Sequence, residues 1–222
     1  MSAIRRGIWY IQLWDMDIYG SSGKKVAWDE ARVYTQSFDD VPEAHWAYYD
    51  IERIFSNGIT AGCGNGNIYC PDSTLTRAQM AVFLLRGEHG SSYTPPPATG
   101  TVFNDVPANA FAAAWIEQLA AESITAGCGG GNYCPTSVIT HAEMAVFLLR
   151  ARYGSTYIPP NATGTMFYDV PSGHWAAKWI ENVANKGISY GQHGCAPGYF
   201  CPSAQVTRAE MAGMLVRAFD LP

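Results

Sequence analysis

Six cysteines occur as three close pairs, and each pair encloses a glycine-rich loop: GCGNGNIYCP, GCGGGNYCP and GCAPGYFCP. One close pair per loop, repeated three times, predicts a local disulfide in each loop and an oxidising compartment. Zinc is the alternative, but each loop offers two thiolates where a tetrahedral site takes four ligands, and only His193 lies close by. Calcium is disfavoured because the loops lack carboxylates. The predicted disulfides are Cys63–Cys70, Cys128–Cys134 and Cys195–Cys201.

Two arginines occupy positions where an anion could bind. Arg77 and Arg208 lie in the blocks LTRAQMAVFLLR and VTRAEMAGMLVR, and His141 takes the same place in ITHAEMAVFLLR. Each block opens with a threonine and has Gln or Glu three residues later, which predicts a capping box at the start of a helix. The predicted capping pairs are Thr76 with Gln79, Thr140 with Glu143, and Thr207 with Glu210.

The first position of a capped helix lies beside unpaired backbone N–H groups and the positive end of the helix dipole. A guanidinium there suits a carboxylate or phosphate ligand. The alternative is that each arginine pairs internally with an aspartate and only stabilises the fold, as charged residues near a core usually do. His141 lacks the planar fork of arginine and is expected to be structural or vestigial.

These helices must be positioned by a larger repeat. A second shared block, of the form F-x-D-V-P, begins at Phe38, Phe103 and Phe167, so the repeats start 65 and then 64 residues apart. Each repeat is predicted to be helix, loop, helix, because a proline precedes the first helix and apolar residues recur at helical spacing. One such unit could not bury its apolar face. Three units packed around a shared axis could, which predicts a pseudo-threefold body.

The chain divides at its proline-rich connectors, SSYTPPPATG and STYIPPNATG, which are expected to be extended and fairly stiff. Residues 1–37 differ from the repeats: aromatic and β-branched segments flank a Gly-Ser-Ser-Gly turn, which predicts a β-hairpin or the remnant of an upstream domain. The expected segments are 1–37, repeat one at 38–90, a linker at 91–102, repeat two at 103–154, a linker at 155–166 and repeat three at 167–222.

Composition excludes several functional classes. Charged residues make up 15% of the chain and the net charge is −5, which argues against nucleic acid as a partner. No apolar run approaches the roughly 20 residues that span a bilayer. The start of the chain imitates a secretory signal only faintly, since Gln12 and Asp15 interrupt it, so no signal peptide is expected within it. No nucleophile–base pair, phosphate loop or metal constellation recurs, so neither an enzyme nor a cofactor is expected.

The FxDVP, HWA, GIT and TRAE-like blocks resemble S-layer homology domains, which usually occur as three copies. The resemblance covers residues 38–222 and repeats several motifs in the same order. It implies a mainly helical, three-pronged spindle around a central helical bundle, located at the cell surface or envelope. It also implies binding of secondary cell-wall polysaccharide, often carrying pyruvate ketals, in grooves between neighbouring repeats.

Residue by residue, the resemblance implies two hallmark sites that are intact and a middle one that is eroded. The family's arginine matches Arg77 and Arg208, with His141 between them; its tryptophan matches Trp46 and Trp175, with Phe111 between them. The aspartates of the FxDV blocks are retained as Asp40, Asp105 and Asp169. The glycine-rich loops are rewritten around the cysteine pairs.

Two functions follow from these observations. The first is a non-catalytic anchor that binds a cell-wall polysaccharide through Arg77 and Arg208. The alternative is a structural subunit of an extracellular assembly, such as a filament, sheath or S-layer. In that case residues 1–37 would pair with other surface proteins or with copies of the same chain, because an unpaired strand edge is a template for such pairing.

Overall fold

The computed structural model describes residues 8–10, 32–34, 36–64 and 67–222. Within these ranges the chain is mainly helical, which confirms the predicted class. Its helices are α1 (Tyr48–Ser56), α2 (Arg77–His89), α3 (Ala113–Ala121), α4 (His141–Tyr153), α5 (Ala177–Asn185) and α6 (Arg208–Phe219). Each repeat therefore contributes one short helix and one long helix, separated by a disulfide-containing loop.

Each long helix begins directly after a threonine that caps its N-terminus. The Thr76 hydroxyl accepts a hydrogen bond from the Gln79 N–H at 3.2 Å, and the Gln79 Oε1 accepts one from the Thr76 N–H at 3.1 Å. These two bonds satisfy backbone donors that the helix leaves unpaired. The same reciprocal pair opens α4, through Thr140 and Glu143, and α6, through Thr207 and Glu210.

A cyclic ring of backbone hydrogen bonds joins the three repeats just before their long helices. The Leu75 N–H donates to the Val206 carbonyl at 2.9 Å, the Val206 N–H to the Ile139 carbonyl at 2.9 Å, and the Ile139 N–H to the Leu75 carbonyl at 3.0 Å. All three side chains are fully buried. Because buried backbone groups must be paired, this ring ties each repeat to both of the others.

The short helices pack across repeat boundaries. The long helices α2, α4 and α6 contact one another pairwise at the centre, and α3 packs on α2, α5 on α4, and α1 on α6. Each short helix thus lies against the long helix of the preceding repeat, and the first repeat closes onto the third. The spindle shape implied by the resemblance stays a prediction, but this cyclic order is the one that a pseudo-threefold body requires.

The connectors are held to the short helices by buried or half-buried carboxylates. Glu117 accepts hydrogen bonds from the backbone N–H groups of Thr99 and Gly100 at 2.8 and 2.7 Å, and Glu181 holds the second connector in the same way. Burial raises the pKa of Glu117, but the hydrogen bonds from the connector outweigh it, so the pKa lies below its ordinary value.

Two short strands lie ahead of the repeats. Strand β1 (Ile8–Tyr10) pairs antiparallel with β2 (Arg32–Tyr34), and Trp9 lies opposite Val33. The predicted turn at residues 20–23 lies outside the described residues, as do Trp14, Trp28 and the signal-like start of the chain, so the hairpin as a whole stays a prediction. Among the helices that the structure describes, none combines the length and apolar character needed to cross a bilayer.

Candidate ligand-binding grooves between the repeats

The two candidate arginines are buried between repeats. Arg77, at the first position of α2, donates from Nε to the Tyr133 carbonyl at 2.9 Å, and the Tyr133 hydroxyl returns a bond to the Arg77 carbonyl at 2.9 Å. Arg208, at the start of α6, makes the same reciprocal pair with Tyr69, at 2.8 Å in both directions. Each guanidinium also lies over the ring of its partner tyrosine. These contacts join the long helix of one repeat to the disulfide loop of the next.

The remaining guanidinium nitrogens have different partners. Arg77 forms an ion pair with Glu143 at 3.2 Å, whereas Arg208 donates from its terminal nitrogen to the Gly62 carbonyl at 3.0 Å. Burial lowers the pKa of Arg208, and the neighbouring Tyr69 and Asp40 oppose that effect. Arg208 therefore donates to neutral carbonyl groups and has the Asp40 carboxylate nearby, while Arg77 forms a direct ion pair with a carboxylate.

The aspartates of the FxDV blocks hold the disulfide loops rather than hydrogen-bonding the arginines. Asp40 accepts from the backbone N–H groups of Tyr69 and Cys70, both at 2.7 Å. Asp105 and Asp169 accept from the matching residues of the second and third loops. Sequence reasoning noted that these aspartates are retained but did not assign this role. The signal was available, since each repeat carries one FxDV block with its aspartate and one loop cysteine pair.

The predicted disulfides are present in all three loops. Their Cα–Cα separations are 6.0, 6.0 and 6.3 Å for Cys63–Cys70, Cys128–Cys134 and Cys195–Cys201. The second cysteine of each pair has a positive φ of 55–60°, an uncommon conformation for a residue other than glycine. The disulfide and the aspartate bond together hold the loop in this shape beside the buried arginine.

His141 fills the place of the missing arginine in α4. Its side chain is fully buried, and Nε2 lies 3.4 Å from Glu210 Oε2. The loop residue facing it is Phe200, which lacks the hydroxyl that Tyr69 and Tyr133 use in the other two interfaces. Burial alone would raise the pKa of Glu210, but His141 and the backbone N–H groups of Thr207 and His193 lower it to about 2.

The three candidate aromatic residues lie just before the short helices and remain accessible. Phe111 is 69% exposed, Trp175 is 63% exposed and Trp46 is 46% exposed. Exposed aromatic faces of this size can stack on the apolar face of a sugar ring, because both surfaces lose water on contact. They are the only residues of the predicted ligand set with a large accessible surface, since Arg77, Arg208 and His141 are buried.

A cavity of about 710 Å³ runs between the first and second repeats. Its walls are the loop at residues 59–64, one face of α2, and the segment leading into α3. Arg208 and Phe111 both line it, together with Gln79 and Arg86. Among the lining residues that the structure describes, the charged ones are the two arginines, and none is an aspartate or glutamate.

Residues of the predicted ligand set that lie close together come from different repeats. The cavity places Arg208 with Phe111. By the equivalence of the repeats, Arg77, which contacts Phe147 of α4, belongs with Trp175 at the start of α5. His141 belongs with Trp46, to which Glu210 and His193 connect it. By this grouping one groove would have both hallmark residues and each of the other two would have one, and the role of these residues in ligand binding stays a prediction.

Sequence reasoning also missed a second set of arginines, at the C-terminal ends of the long helices. Arg86, Arg150 and Arg217 donate to the carbonyls of Ile59, Ile124 and Ile188 at 3.2, 3.1 and 2.8 Å. Arg86 lies over the Trp115 ring and lines the cavity. The available signal was the arginine that ends each of the blocks LTRAQMAVFLLR, ITHAEMAVFLLR and VTRAEMAGMLVR.

One cluster with metal-ligating groups lies away from the grooves. Glu88, His89 and Glu122 hold their ligand atoms within 4.8 Å of one another, at the end of α2. Burial raises the pKa of Glu88 to about 7, Glu122 adds to this effect, and His89 opposes it. A second group, Asp169 with Cys195 and Cys201, offers no thiolate because its cysteines form a disulfide.

Comparison with known proteins assigns the repeats. The S-layer homology domain family matches residues 37–81, 102–145 and 167–212, which together make up more than half of the chain. The chain belongs to the S-layer homology domain family. This confirms the resemblance noted in the sequence, including its three tandem copies, and the predicted location at the cell surface.

The chain is similar to parts of several longer proteins. The chain is 28% identical over 182 residues to an S-layer protein of Bacillus licheniformis, covering 80% of the chain and 19% of that protein. It is 26% identical over 156 residues to a cellulosome-anchoring protein of Acetivibrio thermocellus, covering 70% of the chain and 34% of that protein. An endoglucanase of a Bacillus species is 27% identical over 118 residues, covering 53% of the chain and 12% of the enzyme. The chain thus spans between 12% and 34% of the length of these relatives.

Proposed function

We propose that this chain is a non-catalytic cell-surface module that attaches a protein to the envelope by binding an anionic cell-wall polysaccharide. The cavity between the first and second repeats carries the proposal. It combines Arg208 and Arg86 with the exposed face of Phe111 and has no carboxylate among its described lining residues. A sugar ring can stack on Phe111 while an acidic substituent, such as a pyruvate ketal, lies near the two arginines.

The other two grooves are less suited to an anion. In the second groove Glu143 forms an ion pair with Arg77, and in the third Glu210 contacts His141. At the matching position the first groove has Gln79, which is neutral. Because a carboxylate near the ligand repels an anionic sugar, we expect the first groove to bind the polymer more tightly than the second.

The test is cosedimentation of the purified protein with cell-wall sacculi of the organism that encodes it. Gln79→Glu places a carboxylate in the first groove and keeps the capping box, because repeats two and three have Glu in that place. We expect it to weaken binding about tenfold, the effect of about 1.4 kcal/mol of charge repulsion. Phe111→Ala should weaken binding by a similar factor through loss of stacking.

Two variants serve as matched controls. Glu143→Gln makes the second groove resemble the first and should leave binding unchanged or strengthen it. Tyr168→Ala removes an aromatic side chain that is 81% exposed. The residue of the second repeat that is equivalent to Tyr168 is Asn104, and it is not among the residues that line the cavity. If the folded wild-type protein does not bind sacculi, the proposal is refuted. The repeats would then serve as a scaffold for protein contacts, and pairing of residues 1–37 with a partner becomes the function to test.

A further inference from the structure

The third groove contains a feature that the other two lack. Its loop is longer: Cys195 follows Ile188 by seven residues, whereas Cys63 follows Ile59 by four and Cys128 follows Ile124 by four. The additional residues place His193 just ahead of the disulfide. Neither the fold nor the proposed ligand contacts of the first groove require this insertion.

The insertion brings an imidazole onto the aromatic residue of the same groove. The His193 ring stacks on the Trp46 ring with centroids 4.2 Å apart and the planes 4° from parallel. The His193 backbone N–H donates to Glu210 Oε1 at 2.7 Å, so the loop is tied to the first turn of α6. Glu210 itself caps α6 through Thr207. The loop that carries His193 is therefore anchored to the start of α6.

The stack covers one face of the Trp46 ring, a surface that a sugar could use, and leaves Trp46 46% exposed. Trp46 is less exposed than its equivalents Trp175 and Phe111, although all three precede their helices in the same way. The floor of this groove is also altered, since His141 replaces the arginine and lies beside the Glu210 carboxylate. An anionic sugar entering here would have to displace His193 and would meet a carboxylate instead of a guanidinium.

We propose that His193 is an intramolecular plug that closes the third groove, so that only the grooves of Arg208 and Arg77 take up polymer. The effect of this plug on polymer binding rests on the proposed function, because it requires that the other two grooves bind polymer. The closure itself can be measured without any polymer. The two parts of the test therefore fail separately.

The first part measures the accessibility of the tryptophans. Limited oxidation with N-bromosuccinimide, followed by peptide mass spectrometry, compares Trp46 with Trp175 in the same folded molecule. We expect Trp46 to react several-fold more slowly in the wild type, and His193→Ala to bring its rate close to that of Trp175. Equal rates in the wild type would overturn the plug, and so would an unchanged Trp46 rate in the variant.

The second part uses soluble fragments of the wall polymer and isothermal titration calorimetry. We expect Trp46→Ala to leave the number of sites and their affinity unchanged, because its groove is closed. Trp175→Ala, the matched substitution in an open groove, should remove or weaken one site about tenfold. If Trp46→Ala lowers the stoichiometry as Trp175→Ala does, the third groove is open and the inference is wrong. Absence of binding by every protein would instead contradict the proposed function, while the oxidation rates would still decide whether Trp46 is covered.

Discussion

Arg77→Ala separates the structural role of the buried arginines from a role in ligand binding. Three losses contribute to its effect on the free energy of unfolding. The charge-assisted bond from Nε to the Tyr133 carbonyl, at 2.9 Å, is worth about 1.5–3 kcal/mol. Contact with the Tyr133 and Phe147 rings adds about 0.5–1 kcal/mol. The ion pair with Glu143, which is 34% exposed, adds less than about 1 kcal/mol.

The expected destabilisation is therefore about 3 kcal/mol, or a fall in Tm of about 6–12 °C for a chain of this size. Urea unfolding followed by circular dichroism measures it. Arg152→Ala is the matched control, because Arg152 is 39% exposed and pairs with the exposed Asp220, so its loss should cost less than about 1 kcal/mol.

A result for Arg77→Ala that equals the Arg152→Ala control would refute the reasoning. The guanidinium would then contribute little to the fold and would be free to bind a ligand. If the expected loss is found, the wall-binding assay must be run on Arg77 and Arg208 variants at a temperature where they remain folded. Otherwise loss of binding would only report unfolding, which is why the first-groove test uses Gln79 and Phe111 instead.

Two further predictions concern buried groups. Tyr133→Phe removes the hydroxyl that donates to the Arg77 carbonyl and should lower the free energy of unfolding by about 0.5–1.5 kcal/mol in urea titrations; no change would show that this bond is not made in solution. Glu88→Gln should raise Tm at pH 8 more than at pH 5. The reason is that the pKa of Glu88 in the folded protein, about 7, lies above its ordinary value, so the folded state holds a proton that the unfolded state has released. The wild type therefore loses stability as pH rises from about 4.5 through 7. The gain at pH 8 should be about 1–2 kcal/mol, and a gain that is equal at both pH values would contradict the raised pKa.

The local features of this protein could be predicted from the order of its residues. Each capping box needs two residues three apart, and each disulfide joins cysteines six or seven apart. Interactions this short depend on the backbone conformation of a single segment, which residue types set directly. The repeated blocks at Phe38, Phe103 and Phe167 also placed the six helices in sequence, because apolar spacing and prolines act within one helix at a time.

The composition of the grooves depended on contacts between residues far apart in the chain. Arg208 lines a cavity with Phe111, and Trp46 stacks on His193, although each pair spans two repeats. Three similar repeats leave open which long helix each short helix packs on, since the apolar faces are alike. The cyclic packing of α3 on α2, α5 on α4 and α1 on α6 settles that choice.

The sequence by itself determined the elements of this protein: three helix pairs, their caps, their disulfide loops and the residues available for binding. Only the tertiary structure decided how those residues combine, because burial and pairing are properties of the packed interfaces. Arg77 and Arg208 are buried because a neighbouring loop tyrosine covers each of them, and Trp46 is less exposed than Trp175 and Phe111 where an inserted histidine from another repeat stacks on its ring. No spacing within one repeat carries that information, since both partners come from different repeats.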